Sequence, residues 1–114
     1  MKEMRRYGSA TFFLDGGVIH SVLPAHYSFG YTYHAMMIPP FKPRTMLMLG
    51  YGEGTVARLT RAVWGDCKIV GVDIEPPEKE TEFLSDAIFT EQDAFEYITE
   101  ASKRRERFDY VAVD

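Results

Sequence analysis

The chain contains one cysteine, Cys67, which excludes an internal disulfide and any cysteine-rich metal site. It stands just before an apolar run and reads as structural rather than catalytic, and no metal is expected. No apolar stretch approaches the roughly 20 residues needed to span a bilayer, and the N-terminus has no signal-peptide core. The expected location is therefore cytoplasmic, without a membrane partner. Positive charge is in the minority: 13 Lys and Arg against 17 Asp and Glu leave a net charge of −4, with a pI of about 5.3. That balance argues against a nucleic-acid surface and suits a neutral or cationic small ligand. Arg5-Arg6 and Lys103-Arg104-Arg105 are the basic clusters, read as solvated ends of elements, since cations are favoured near a helix C-terminus. There is no internal repeat and no low-complexity tract.

What is present fits one small α/β domain. The 114 residues are 46% hydrophobic and 26% charged, enough to bury a core. Two parts are visible, 1–40 and 41–114. In the first, Ala10–Leu14 and Val18–Leu23 are short β-rich runs joined through Asp15-Gly16-Gly17, which predicts a β-hairpin. Gly30–Ile38 predicts a short helix that Pro39-Pro40 ends. From Thr45 the pattern becomes strand–helix–strand. Strand Met46–Leu49 precedes a helix with Val56, Leu59, Thr60 and Val63 at i, i+3, i+4, i+7 spacing. Strand Ile69–Asp73, a polar segment Glu75–Glu82 and strand Ala87–Thr90 follow. Next comes a helix Ala94–Arg104 with Phe95, Ile98 and Ala101 on one face, then a last strand, Phe108–Val113. Such alternation predicts a parallel sheet with right-handed crossovers.

The chemistry concentrates in Met46-Leu-Met-Leu-Gly-Tyr-Gly-Glu-Gly-Thr55, an apolar strand running into three alternate glycines. A phosphate-cradling P-loop needs Gly-Lys-Ser/Thr, and no lysine follows Gly54. The dinucleotide fingerprint needs its third glycine three residues after the second, where this chain has Thr55. The observed Gly-x-Gly-x-Gly with Glu53 inside it suits a ligand without pyrophosphate, because the carboxylate repels phosphate and attracts a sulfonium or ammonium. A glycine-rich turn without a ligand is the other reading. Asp73 ends the next strand at the sheet's carboxyl edge, where an acid can take both ribose hydroxyls; a turn aspartate before Glu75-Pro76-Pro77 is the alternative. Asp93 precedes a helix, where aspartate is a preferred N-cap, and a cap can coexist with a backbone lining an adenine pocket.

Taken in order, these motifs resemble the N-terminal half of the spermidine synthases, aminopropyltransferases with a class I methyltransferase-type Rossmann fold. Leu14-Asp15-Gly16 resembles the family's Leu-Asp-Gly and Tyr33-His34-Ala35-Met36 its Tyr-His-Glu-Met. Gly50–Thr55 resembles Gly-Gly-Gly-Asp-Gly-Gly, Val72-Asp73-Ile74-Glu75 resembles Val-Glu-Ile-Asp, and Asp93-Ala94 resembles the adenine step. Phe108–Asp114 resembles Tyr-Asp-Val-Ile-Ile-Val-Asp, whose last aspartate is the family's general base. The resemblance implies a partial Rossmann-like nucleoside-binding domain at 41–114 behind the N-terminal hairpin and short helix. It implies that Gly50, Gly52, Glu53, Gly54, Asp73, Ile74, Asp93 and Ala94 bind decarboxylated S-adenosylmethionine as co-substrate, or methylthioadenosine or S-adenosylmethionine. Asp73 would hold the ribose, Asp93 and Ala94 would bound the adenine, and Glu53 would pair with the aminopropyl ammonium. His34 would contact the polyamine or nucleoside, and Tyr33 and Asp114 would sit beside the attacking amine as catalytic residues.

The chain departs from the family at Ala35, where the family has glutamate, and near Ile19 or His20, where its glutamine would fall. The stretch from Asp73 to Asp93 is shorter than the family's helical segment there. The family's remaining strands would follow Asp114, so this chain alone is expected to lack aminopropyl transfer, to leave 111–113 near a sheet edge and to form a homodimer or larger assembly. Two function classes stay open. One is an aminopropyltransferase-like or methyltransferase-like enzyme, or part of one; the other is a non-catalytic nucleoside-binding or assembly module.

Overall fold

Every residue of Met46–Leu49 is apolar, and a parallel strand of that kind has to be covered on both faces. The computed structural model describes residues 2–30, 33–78 and 87–114 and has that arrangement. Four parallel strands, β4 (Thr45–Leu49), β5 (Lys68–Asp73), β6 (Ile88–Glu91) and β7 (Tyr110–Val113), lie in the order β6-β5-β4-β7. Alternate residues separate the two faces. Met46, Met48, Ile69 and Ala112 pack with Val56 and Ala57 of helix α1 (Thr55–Trp64). Leu47, Leu49, Val70 and Val72 pack with Tyr97 and Ala101 of helix α2 (Ala94–Lys103). The result is a mixed α/β architecture, a partial Rossmann-like sheet with helices on both faces, and β7 is an edge strand as expected. Among the described residues no helix is long and apolar enough to cross a membrane.

Ahead of this sheet lies an antiparallel one of order β1-β2-β3. Strands β2 (Ala10–Asp15) and β3 (Val18–Leu23) form the expected hairpin. Gly16 and Gly17 both have positive φ, 59° and 81°, as a two-residue primed turn requires. Strand β1 (Lys2–Tyr7) pairs with β2. It has no alternation to announce it, because all six of its residues are exposed.

Three local expectations need correction. Within the described residues, the helix expected over Gly30–Ile38 is a short 3-10 helix, His34–Met37, preceded by another, Ala25–Gly30. Ile38 is already extended (φ −67°, ψ 132°), as a residue before proline tends to be. Val63 is exposed rather than buried, because the buried part of α1 is confined to Thr55–Thr60. On α2 the buried stripe is Tyr97 and Ala101, whereas Phe95 is 81% and Ile98 43% exposed. Tyr97 buries its ring while its hydroxyl reaches Glu106 at 3.1 Å, so this polar-tipped residue wins the core position. Residues 31–32 and 79–86, including part of the expected polar segment, lie outside the described residues.

Candidate functional site

Strand β4 ends at Gly50, and the chain then turns through three left-handed glycines, Gly50, Gly52 and Gly54, before α1. At Gly50 (φ 88°) an added Cβ would meet the backbone oxygen of Asp114 at 2.5 Å. That close approach follows from topology. Leu49 and Val113 are register partners, and the Asp114 N–H donates to the Leu49 carbonyl at 2.9 Å. Asp73, at the tip of β5, braces the loop: its Oδ2 accepts the N–H groups of Tyr51 (3.0 Å) and Gly52 (2.9 Å). Its Oδ1 accepts the Glu75 N–H at 3.3 Å.

The order of strand addition reverses at β4, since β5 and β6 lie on one side of it and β7 on the other. Ligands of open α/β sheets bind at such switch points, outside the strands' carboxyl ends. A cavity of about 400 Å³ sits there. It brings together Gly50, Asp73, Ile74, Asp93, Ala94 and Asp114 from the sequence-based set. Gly52, Glu53, Gly54, Tyr33 and His34 do not line it. Phe95 and Ile98 do, together with Gln92, and sequence reasoning missed them as site residues. Their signal was available but misassigned, because an apolar pair at i, i+3 on a helix looks the same whether it faces a core or a ligand cleft. Asp93 is the N-cap of α2, its Oδ2 accepting the Phe95 and Glu96 N–H groups at 3.0 and 3.1 Å; a cap of this kind contributes about 1 kcal/mol.

At the edge of the cleft, Tyr33 donates its hydroxyl hydrogen to Asp114 Oδ1. His34, 2% exposed, places Nε2 3.6 Å from Asp114 Oδ2, and its ring lies 4.9 Å from that of Tyr33. His34 therefore stands behind the carboxylate rather than in the cavity. His34 first, and then the Tyr33 hydroxyl, hold the Asp114 carboxyl below its ordinary range, against the desolvation that raises it. The hydrogen bond to Asp114 and then burial push the Tyr33 phenol up to about 12. Asp114→Ala, which removes the acceptor, is expected to return the Tyr33 titration toward the ordinary tyrosine value of about 10. Carbon-detected NMR of the tyrosine rings checks this, and an unmoved Tyr33 would show that the shift has another origin.

Glu53 occupies a different place. It is 1% exposed, its Oε1 accepts the Glu78 N–H at 2.7 Å, and its own N–H donates to Ser21 Oγ at 3.4 Å. It lines a second cavity, of about 180 Å³, between the glycine loop and the N-terminal sheet, in company with His20. Of Ile19 and His20, the two positions near which the family's glutamine was expected to fall, His20 lines this cavity and Ile19 lines another. Cys67 is half-buried, and burial pushes its thiol up, which leaves it a poor nucleophile.

A cavity of about 650 Å³ on the N-terminal sheet, lined by Tyr7, Phe12, Leu14, Ile19 and Tyr27, is larger than either. None of its lining residues comes from the glycine loop or the sheet's carboxyl edge, so size does not select the site. Among the described residues no group of three or more His, Cys, Asp or Glu is placed to hold a metal ion. Comparison of the chain with protein-family models, curated proteins and solved structures returns no match.

Proposed function

We propose that the carboxyl-edge cavity binds the nucleoside of decarboxylated S-adenosylmethionine and that the chain is spermidine synthase-like, supplying the donor site of an aminopropyltransferase without transferring the group alone. A polyamine nitrogen attacks the carbon next to the sulfonium and a C–N bond forms. The C–S bond breaks with its electron pair going to sulfur, which yields methylthioadenosine, and Asp114 takes the proton from nitrogen. The observation that carries this reading is the hydrogen bond from Tyr33 to Asp114, made across most of the chain at the rim of a cleft that also holds Asp73 and Asp93. An amine is nucleophilic only when deprotonated, so a carboxylate within hydrogen-bond reach is the group the reaction needs. Phe95, largely exposed on the cavity wall, supplies an apolar aromatic face for a base.

A second reading, a nucleoside-binding module without catalysis, is favoured by two observations. Ala35 removes a carboxylate, and Asp73 already accepts three backbone N–H groups. A methyltransferase-like activity shares the nucleoside site and is separated by whether methyl or aminopropyl label moves.

Calorimetry with methylthioadenosine and S-adenosylmethionine tests what both readings share. Binding is expected, and Asp73→Ala should weaken it by about 1–3 kcal/mol, the scale for leaving polar partners unpaired. No heat from either ligand at millimolar concentration overturns the nucleoside site. Turnover of decarboxylated S-adenosylmethionine with putrescine would exclude the module and overturn the expectation that this chain alone is inactive.

A further inference from the structure

Thr45, Lys68 and Ile88, the first residues of β4, β5 and β6, line a cavity of about 460 Å³ at the end of the sheet opposite Asp73 and Asp114. Its floor is the sheet face that α2 covers over β4 and β5 and leaves open over β6. Val70 and Tyr97 belong to the core on that side and Phe108 packs against it. Ile88, the register partner of Val70 on the outer strand, is 54% exposed. Three cations, Lys68, Arg104 and Arg107, line the cavity against one carboxylate, Glu106, in a chain whose net charge is −4. Glu106 is already engaged, accepting the Arg104 Nε–H and the Tyr97 hydroxyl, both at 3.1 Å. Arg104 is thereby committed to Glu106. Among the described residues neither Lys68 nor Arg107 makes an ion pair or a side-chain hydrogen bond. The end of α2 adds little negative field, because the carbonyls of Glu100, Ala101 and Ser102 accept the N–H groups of Arg104, Glu106 and Arg105 at 3.0, 3.0 and 3.1 Å.

We propose that this cleft binds a small organic phosphate monoester, its phosphate held by Lys68 and Arg107 and its apolar body lying on Val70, Ile88 and Phe108. A guanidinium fork matches two phosphate oxygens, and a lysine adds a mobile point charge. The volume falls within the range of small-molecule sites, about 300–1,000 Å³. Charge also limits the size of the ligand. Beyond the cleft the acidic chain repels an extended polyanion, whereas a compact dianion stays within reach of the local cations. The glycine loop sorts ligands the other way, since Glu53 there repels phosphate. The cleft shares no lining residue with the carboxyl-edge cavity, so the inference stands apart from the nucleoside reading.

Amide NMR titration with phenyl phosphate, inorganic phosphate and phenol tests this. Phenyl phosphate should bind in the millimolar range and shift the amides of Lys68, Ile88 and Phe108, and the two half-ligands should bind at least about tenfold more weakly. Lys68→Gln and Arg107→Gln should each weaken phenyl phosphate about tenfold, the scale of one charge-assisted hydrogen bond. Lys103→Gln removes the same charge outside the cleft and should stay within about twofold of wild type, as an exposed charge without a ligand contact does. Lys68, Lys103 and Arg107 are all exposed, so the three variants should fold. No shifts at millimolar phenyl phosphate, shifts centred on the glycine loop, or an equal loss in Lys103→Gln overturns the proposal. Methylthioadenosine titrated separately reports on the carboxyl-edge cavity, and either ligand binding without the other keeps one site and removes the other.

Discussion

Asp114→Asn is expected to lower aminopropyl transfer by about 10²–10⁴-fold, the range for loss of a general base, in a preparation that turns over decarboxylated S-adenosylmethionine and putrescine. Asparagine keeps the shape and can still accept the Tyr33 hydrogen bond, but it cannot take the proton released as the C–N bond forms. Loss of orientation is therefore separable from loss of basicity. Tyr33→Phe removes a hydrogen bond that holds the carboxyl down while leaving the base in place, so its effect should be much the smaller. Because the Asp114 carboxyl lies below its ordinary range, its base form persists throughout neutral pH. Turnover should then climb above pH 7 with deprotonation of the amine, whose pKa resembles that of lysine, about 10. It should show no inflection from Asp114 there. Undiminished turnover by Asp114→Asn would remove the proposed base, and a neutral-pH inflection abolished by that substitution would show a carboxyl held high rather than low. The same depression has a stability consequence. The contribution of Asp114 is present above its unfolded pKa and is lost as pH falls through the lower folded value.

The alternation of strands and helices was readable from residue 45 onward because both sheet faces are covered, which leaves uninterrupted apolar runs such as Met46–Leu49 and Ile69–Val72. The hairpin was readable from Asp15-Gly16-Gly17. Strand β1 was not, since an exposed outer strand buries no face and leaves no period-2 signal. In the candidate site, Gly50, Asp73, Asp93 and Asp114 stand out as backbone-special or charged residues at strand ends, where parallel topology gathers them. Phe95 and Ile98 did not stand out, because hydrophobicity reports removal from water without saying by what. Glu53 could be expected near a cation from its type, yet its separation from the carboxyl-edge cavity depends on which way the loop turns. That turn is set by backbone N–H groups donating to Asp73. The role of His34 behind Asp114 depends on a contact between residues far apart in the chain, which no local pattern encodes.

Gly71→Ala should be a strongly damaging single-methyl change. Gly71 lies in the middle of β5, between buried Val70 and Val72, and an added Cβ would sit 2.2 Å from Cδ1 of Tyr51 and 2.8 Å from its Cγ and Cε1. The ring has little room to retreat. It is 4% exposed, packs in the cluster of Met46, Met48, Val56 and Ile69, and meets Phe89 edge-on at 5.6 Å. On its far side the Gly54 α-carbon is so close that a Cβ there would fall 2.5 Å from the Tyr51 hydroxyl. Overpacking of this kind costs about 1–3 kcal/mol and occasionally more, and an aromatic ring wedged between two backbones belongs at the upper end. A loss of about 3 kcal/mol is a large part of the roughly 5–15 kcal/mol that holds a domain together. Moving Tyr51 would also disturb its N–H bond to Asp73, so the variant should lose nucleoside binding along with stability. Urea unfolding measures the first and calorimetry the second. Tyr51→Leu in the Gly71→Ala background should restore part of the stability, a coupling expected of residues in contact. A Gly71→Ala protein within about 1 kcal/mol of the parent, below the overpacking range, would mean that Tyr51 does not rest against β5 and that the glycine loop is built differently.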